Sequence, residues 1–230
     1  MEKNSFKTTA LYGIIPPKSK QFNDFDLYEN DYTLPSVFLK KIKIWYGIPQ
    51  KKDFPCLLGI QCWYINYLTS EKKESEYHGC ELKYDNIESK ELEVNENDYF
   101  AKINIGFDYY LTHFKISTKK GYFLEFGKII DDYEKIIGIN LEDNMIAFFS
   151  GYYSSKGIRA IRIKYISRKT YAYYRIFDLL KFRTYLKNNE EKKVSFLESS
   201  NYNNLDNSMK CFLNTCLFPD VVFSTIIKYL

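Results

Sequence analysis

The chain has 230 residues, with 33 Lys plus Arg against 29 Asp plus Glu and a formal net charge of +4. Its basic runs, Lys40-Lys41, Lys51-Lys52 and Lys119-Lys120, are short and lie near acids, so it lacks the concentrated basic stripe of a dedicated nucleic-acid binder. A 45% hydrophobic share can fill a real core, and the 18% aromatic share suits pleated, half-buried surfaces and so leans toward strands.

Five cysteines, Cys56, Cys62, Cys80, Cys211 and Cys216, accompany only two histidines, His78 and His113. Their spacings match no zinc pattern, so no metal and no cofactor is expected, and the thiols read as free and partly buried. The N-terminus lacks the apolar run of a secretory signal, and no stretch approaches the roughly 20 apolar residues of a membrane span. No asparagine falls in an Asn-x-Ser/Thr sequon. These features predict an intracellular, cytoplasmic protein with no membrane partner and no nucleic-acid partner.

Residues 1–21, with Pro16-Pro17, read as an extended arm rather than a packed element. From Phe22 onward the pattern changes to short segments of period two. Phe38–Tyr46 sets Ile42 and Ile44 on one face and Lys41 and Lys43 on the other. Gly59–Tyr67 has apolar residues on both faces, which predicts a strand covered on both sides. Further strands are expected at 91–94, 99–107, 111–118, 122–126, 136–139, 145–151 and 158–166. So many short strands without a helical pattern between them indicate a sandwich, barrel or prism. The side chains of Ile42, Ile44, Ile60, Ile105, Phe126 and Ile163 are expected to share one core.

After Arg168 the period becomes helical. Ile176, Leu179, Phe182 and Leu186 form an apolar stripe, a polar linker follows over 188–207, and Val222, Ile226 and Leu230 lie in a second apolar run after Pro219-Asp220. The organisation read from the sequence is therefore an arm over 1–21, a β domain over 22–167 and a helical extension with a polar linker over 168–230.

The β segments, in their order over 22–167, resemble a jacalin-related lectin domain. Phe22-Asn23-Asp24 is similar to the family's early Phe-Asp-Asp element. Ile42–Gly47 followed by Gly59-Ile60-Gln61 resembles its first hairpin, and His78-Gly79 matches a recurrent His-Gly. Leu92–Ile105 resembles its acidic turn, aromatic and Lys-Ile pair, and Thr118–Gly127 its Thr-Asn-x-Gly…Phe-Gly segment. Phe149-Ser150-Gly151 and Gly157–Tyr165 resemble the closing strands. The resemblance implies a mainly β fold, a β-prism of three antiparallel sheets, here with an N-terminal arm and a helical C-terminal extension, and no catalytic chemistry.

In that family a sugar is held by backbone donors at an N-terminal glycine and by a loop reading approximately Gly-x-x-x-Leu-Asp-Ala-Ile. Its aspartate accepts hydrogen bonds from two sugar hydroxyls. The matching residues here are Gly151, Tyr152, Tyr153, Gly157, Ile158 and Arg159. Arg159 stands where the resemblance puts the aspartate, and arginine has five donors and no acceptor. No Gly-Gly pair precedes Phe22. The family's neutral-sugar site is thus expected to be degenerate. Arg159 either binds an anionic sugar, with Tyr152 and Tyr153 stacking on a ring, or pairs with an acid of a partner or with water, the two tyrosines then packing locally.

No nucleophile elbow, phosphate loop, dinucleotide fingerprint or His-Glu-x-x-His motif is present, which argues against an enzyme. The expectation from the sequence is an interaction protein that docks in a larger protein assembly, cytoskeletal or ciliary, through the stripes of its tail. The alternative is an intracellular lectin with an altered, anionic glycan specificity.

Overall fold

The structure is a computed structural model, and it describes residues 6–28, 37–48, 54–66, 71–82, 86–95, 98–127, 135–141 and 144–167. The helical stripes expected over 168–230 (Ile176, Leu179, Phe182, Leu186, Val222, Ile226 and Leu230) lie outside the described residues.

The strands run in chain order as β1 (Lys7–Thr8), β2 (Tyr12–Gly13), β3 (Lys20–Asn23), β4 (Val37–Gly47), β5 (Cys56–Asn66), β6 (Lys72–Glu74) and β7 (His78–Gly79). They continue as β8 (Glu88–Glu93), β9 (Phe100–Phe107), β10 (Leu111–Thr118), β11 (Phe123–Phe126), β12 (Lys135–Asn140), β13 (Asn144–Ser154) and β14 (Gly157–Ser167). A short 3-10 turn over Asp24–Tyr28 follows β3. The strands pair antiparallel into three sheets. Sheet I has the order β6-β5-β4-β8, with β7 also on β5. Sheet II is β11-β10-β9-β12. Sheet III is β1-β14-β13-β3, with β2 also on β14.

Each sheet is built on one long hairpin whose inward positions alternate with outward ones. Ile42 and Ile44 of β4 face Cys62 and Ile60 of β5. Ile103 and Ile105 of β9 face Ile116 and Phe114 of β10. Ile163 of β14 faces Phe149 of β13. All these side chains, with Phe126, are buried in one cluster, as the period-two reading required. Each fully buried side chain of this kind contributes roughly 1.5–3 kcal/mol.

The outward face of β5 differs from expectation. Trp63 and Ile65 are half-buried rather than enclosed. The Lys41 ammonium sits 4.9 Å from the Trp63 ring centroid. A lysine stem laid on an aromatic ring screens apolar surface while its charge stays wet.

The N-terminal segment differs as well. Residues 7–13 are extended, as an arm would be, but they are laid along β14. Lys7 pairs with Tyr165 and Thr8 with Lys164, while Tyr12 and Gly13 pair with Ile161 and Ala160. Thr9 adds two hydrogen bonds to Ile163, one through its amide and one through its hydroxyl oxygen. Lys20–Asn23 then pairs with Ser150–Tyr153 on the other side of β13. Periodicity could not show this, because two-residue strands are too short to carry a period.

Candidate functional site

Three hairpins meet at one end of the prism. Gly157, at the tight turn that opens β14, has φ +112° and lies so close to β5 that an added Cβ would stand 2.5 Å from the Leu57 carbonyl oxygen. Two residues on, the guanidinium carbon of Arg159 lies 4.2 Å from the ring centroid of Tyr110, in the β9–β10 hairpin. The loop after β2 closes the group, since the Ile14 amide donates to the Arg159 carbonyl oxygen at 3.2 Å.

Arg159 owes its placement to a bulge. The β13–β14 register passes from Tyr152 opposite Ala160 to Tyr153 opposite Ile158, which leaves Arg159 as the extra residue on its strand. Gly13 packs over this bulge with φ +123°, and an added Cβ would lie 2.2 Å from the Arg159 carbonyl oxygen. Only a residue without a side chain fits there. Arg159 is 7% exposed, so it is not simply solvated, as one of the sequence readings had it. One face of its guanidinium is covered by Tyr110, and its buried Nε has no hydrogen-bond partner. A buried donor left open costs about 1–3 kcal/mol, a cost that a water or a residue outside the described ones would offset.

The other residues expected at this site divide. Gly151 is a packing position, where an added Cβ would meet the Ala160 carbonyl oxygen at 2.2 Å and the Phe22 ring at 3.0 Å. Ile158 is fully buried core. Tyr153 turns inward, its ring 6.3 Å from that of Phe22 and 6.2 Å from that of His78, which matches the reading that the tyrosines pack locally. Tyr152 is half-buried on β13. Gly157 shapes the turn. Of the six, Arg159 alone brings an unpartnered polar atom to the end of the prism.

Two residues at the site were missed in the sequence. Gly13 carries no local signal as a site residue, because Ile14–Gln21 separates it from Phe22 in the sequence. Tyr110 carried no signal, since only the fold brings a β9–β10 turn residue to the start of β14.

Other polar clusters are structural. Asp24, 3% exposed, accepts from the Tyr64 hydroxyl at 2.5 Å and lies 2.6 Å from His78 Nε2. His78 stacks on Phe22 at 4.3 Å between centroids. The Phe-Asn-Asp and His-Gly motifs therefore meet in one contact, which ties sheet I to sheet III. Elsewhere, a cavity of about 570 Å³ opens between β8 and β11, beside Tyr46, Lys90, Glu91 and Phe123. None of its lining residues leaves a buried polar side-chain atom without a partner. No group of three or more His, Cys, Asp and Glu side chains suited to a metal occurs among the described residues.

No protein-family model and no curated protein sequence matches the chain. Solved structures do. Artocarpin complexed with Me-alpha-Mannose superposes with a TM-score of 0.52 at 14% identity, over 70% of this chain and 98% of that one. Frutapin, a lectin from Artocarpus incisa, gives 0.51 at 14%, over 72% and 99%. A mannose-binding jacalin-related lectin from Ananas comosus gives 0.51 at 12%, over 71% and 99%. At such identities the likeness is one of fold. With three antiparallel sheets closed around one core and nearly the whole length of each lectin matched, this chain carries a jacalin-like β-prism.

Proposed function

We propose that the chain is a non-catalytic carbohydrate-binding protein whose site, at the start of β14, takes an anionic glycan. The observation that carries this reading is Arg159: a guanidinium held against Tyr110, with its Nε unpartnered, at the meeting point of three hairpins. The structural neighbours named above include proteins described as mannose-binding lectins, which supports a saccharide as the ligand class. The charge of the site selects within that class. A carboxylate would accept from neutral sugar hydroxyls, whereas a guanidinium donates, and it matches sulfate or carboxylate groups with paired N–H bonds. Lys156, exposed in the β13–β14 turn, adds to the same field.

Nothing in the fold or in the structural likenesses favours the expected cytoskeletal or ciliary assembly, and that expectation is set aside. The test is a glycan array probed with the full chain. Sulfated and uronate-bearing glycans should bind above background and mannose should not, and Arg159→Gln should remove the anionic signal with the melting temperature held. Binding of mannose by the unaltered chain, or anionic binding that survives Arg159→Gln, contradicts the proposal.

A further inference from the structure

Seven large apolar side chains are exposed among the described residues, and five of them stand on one end of the prism: Ile14, Ile15, Ile48, Leu82 and Tyr109. Their common location follows from the strand register. Ile48 follows Gly47, which pairs with Cys56 where the chain turns from β4 into β5. Leu82 lies two residues beyond Cys80, whose amide donates to Leu58 near the start of β5. Tyr109 sits in the β9–β10 turn beside Tyr110, and Ile14 is bonded to Arg159. The other two, Tyr122 and Phe123, mark the opposite end, where Phe123 pairs with Ser117 late in β10. Four separate loops thus place apolar tips around the same end.

We infer that this end seats on an anionic lipid bilayer. The apolar tips are interspersed with cations: Lys18, Lys20 and Lys156 are exposed, and Arg159 lies among them. The described acids nearby are Asp108, Glu81 and Glu88, and the Glu88 carboxylate is taken up by the Tyr46 hydroxyl. A protein interface is depleted in lysine at its centre. A bilayer rewards the mixture, because aliphatic and tyrosine side chains enter the headgroup–acyl boundary while lysines reach anionic headgroups. The expectation of no membrane partner rested on the absence of a spanning segment, and no helix among the described residues is long and apolar enough to cross a membrane. Seating on a surface needs none. This inference goes beyond the glycan reading and stands without it.

The experiment is co-sedimentation of the full chain with vesicles of phosphatidylcholine alone and of phosphatidylcholine enriched in phosphatidylserine. Binding should require phosphatidylserine and weaken as salt is raised. The triple variant Ile15→Ser, Ile48→Ser, Leu82→Ser should lose about tenfold in vesicle affinity, with its melting temperature and its glycan binding unchanged. Placing Trp at the same three positions should keep or strengthen vesicle binding, which a shaped protein partner would not tolerate. Arg159→Gln, in contrast, should remove anionic-glycan binding while the vesicle arm stays within about threefold. No sedimentation with phosphatidylserine vesicles, equal binding by the serine variant, or self-association of the free chain through this end would overturn the inference.

Discussion

Asp24 shows how a single buried residue can be indispensable to the fold and idle in the chemistry. Its two oxygens take the Tyr64 hydroxyl and His78 Nε2, and Tyr64 in turn accepts from the Phe149 amide at 3.4 Å. Removing the carboxylate in Asp24→Ala leaves two buried donors open, at about 1–3 kcal/mol each. Urea unfolding should show that loss, while an apolar swap at exposed Ile15 should leave the midpoint in place. The charge of Asp24 also acts on its neighbours: burial first, and then this carboxylate, push the Cys62 thiol well up. Burial likewise pushes Cys80 up to about 11. Cys62 and Cys80 are free and buried, in keeping with the free, partly buried thiols read from the sequence.

Tyr46 supplies a pH test at the same scale. Burial, and next its hydrogen bond to Glu88, push its phenol up from 10.0 to about 12. The neutral phenol is the form the fold favours. Its contribution to stability is therefore complete below pH 10.0 and is lost as the pH rises through about 12. Burial also raises the phenols of Tyr64 and Tyr77, so the test is a difference: in ultraviolet titration Glu88→Gln should lower one late-ionising tyrosine and leave the other two in place. A Tyr46 that titrates with the exposed tyrosines would show the contact is not made.

At the level of elements, the β2–β14 junction determines whether the site exists at all. The tight fit of Gly13 over the Arg159 carbonyl leaves no room for a side chain, and its φ of +123° is one that other residues rarely adopt. Gly13→Ala should detach β2 from β14, cost about 1–3 kcal/mol and weaken glycan binding. Amide exchange at Ile14, whose hydrogen bond to Arg159 would open, checks the first effect directly.

The same elements show what the sequence could disclose. Long hairpins such as β4–β5 and β13–β14 were legible because eleven-residue strands carry several cycles of alternation. β1, β2, β6 and β7 have two or three residues each and carry less than two cycles, so they were not read. The site was half legible. The charge reversal at Arg159 stands in the sequence, but its burial against Tyr110 depends on a bulge and on a turn 49 residues away in sequence, and neither leaves a local pattern. Tyr153 shows what the sequence leaves open. A tyrosine beside a ligand loop reads either as a stacking or as a packing residue, and only the fold brings its ring against Phe22 and His78.

Over the whole molecule, the three sheets spend their apolar faces on one another, and the hairpins at one end carry what remains: a guanidinium with an open donor, a ring of cations and exposed aliphatic tips. Recognition in such a prism falls to its end loops, which the strands hold in place. Selectivity then turns on the sign of one side chain. The most direct measurement is titration of the full chain and of Arg159→Asp with a sulfated glycan and with mannose under the same conditions. The account predicts that the unaltered chain binds the sulfated glycan alone, and that Arg159→Asp loses it and gains weak affinity for mannose. Equal behaviour of the two proteins toward both sugars would contradict it.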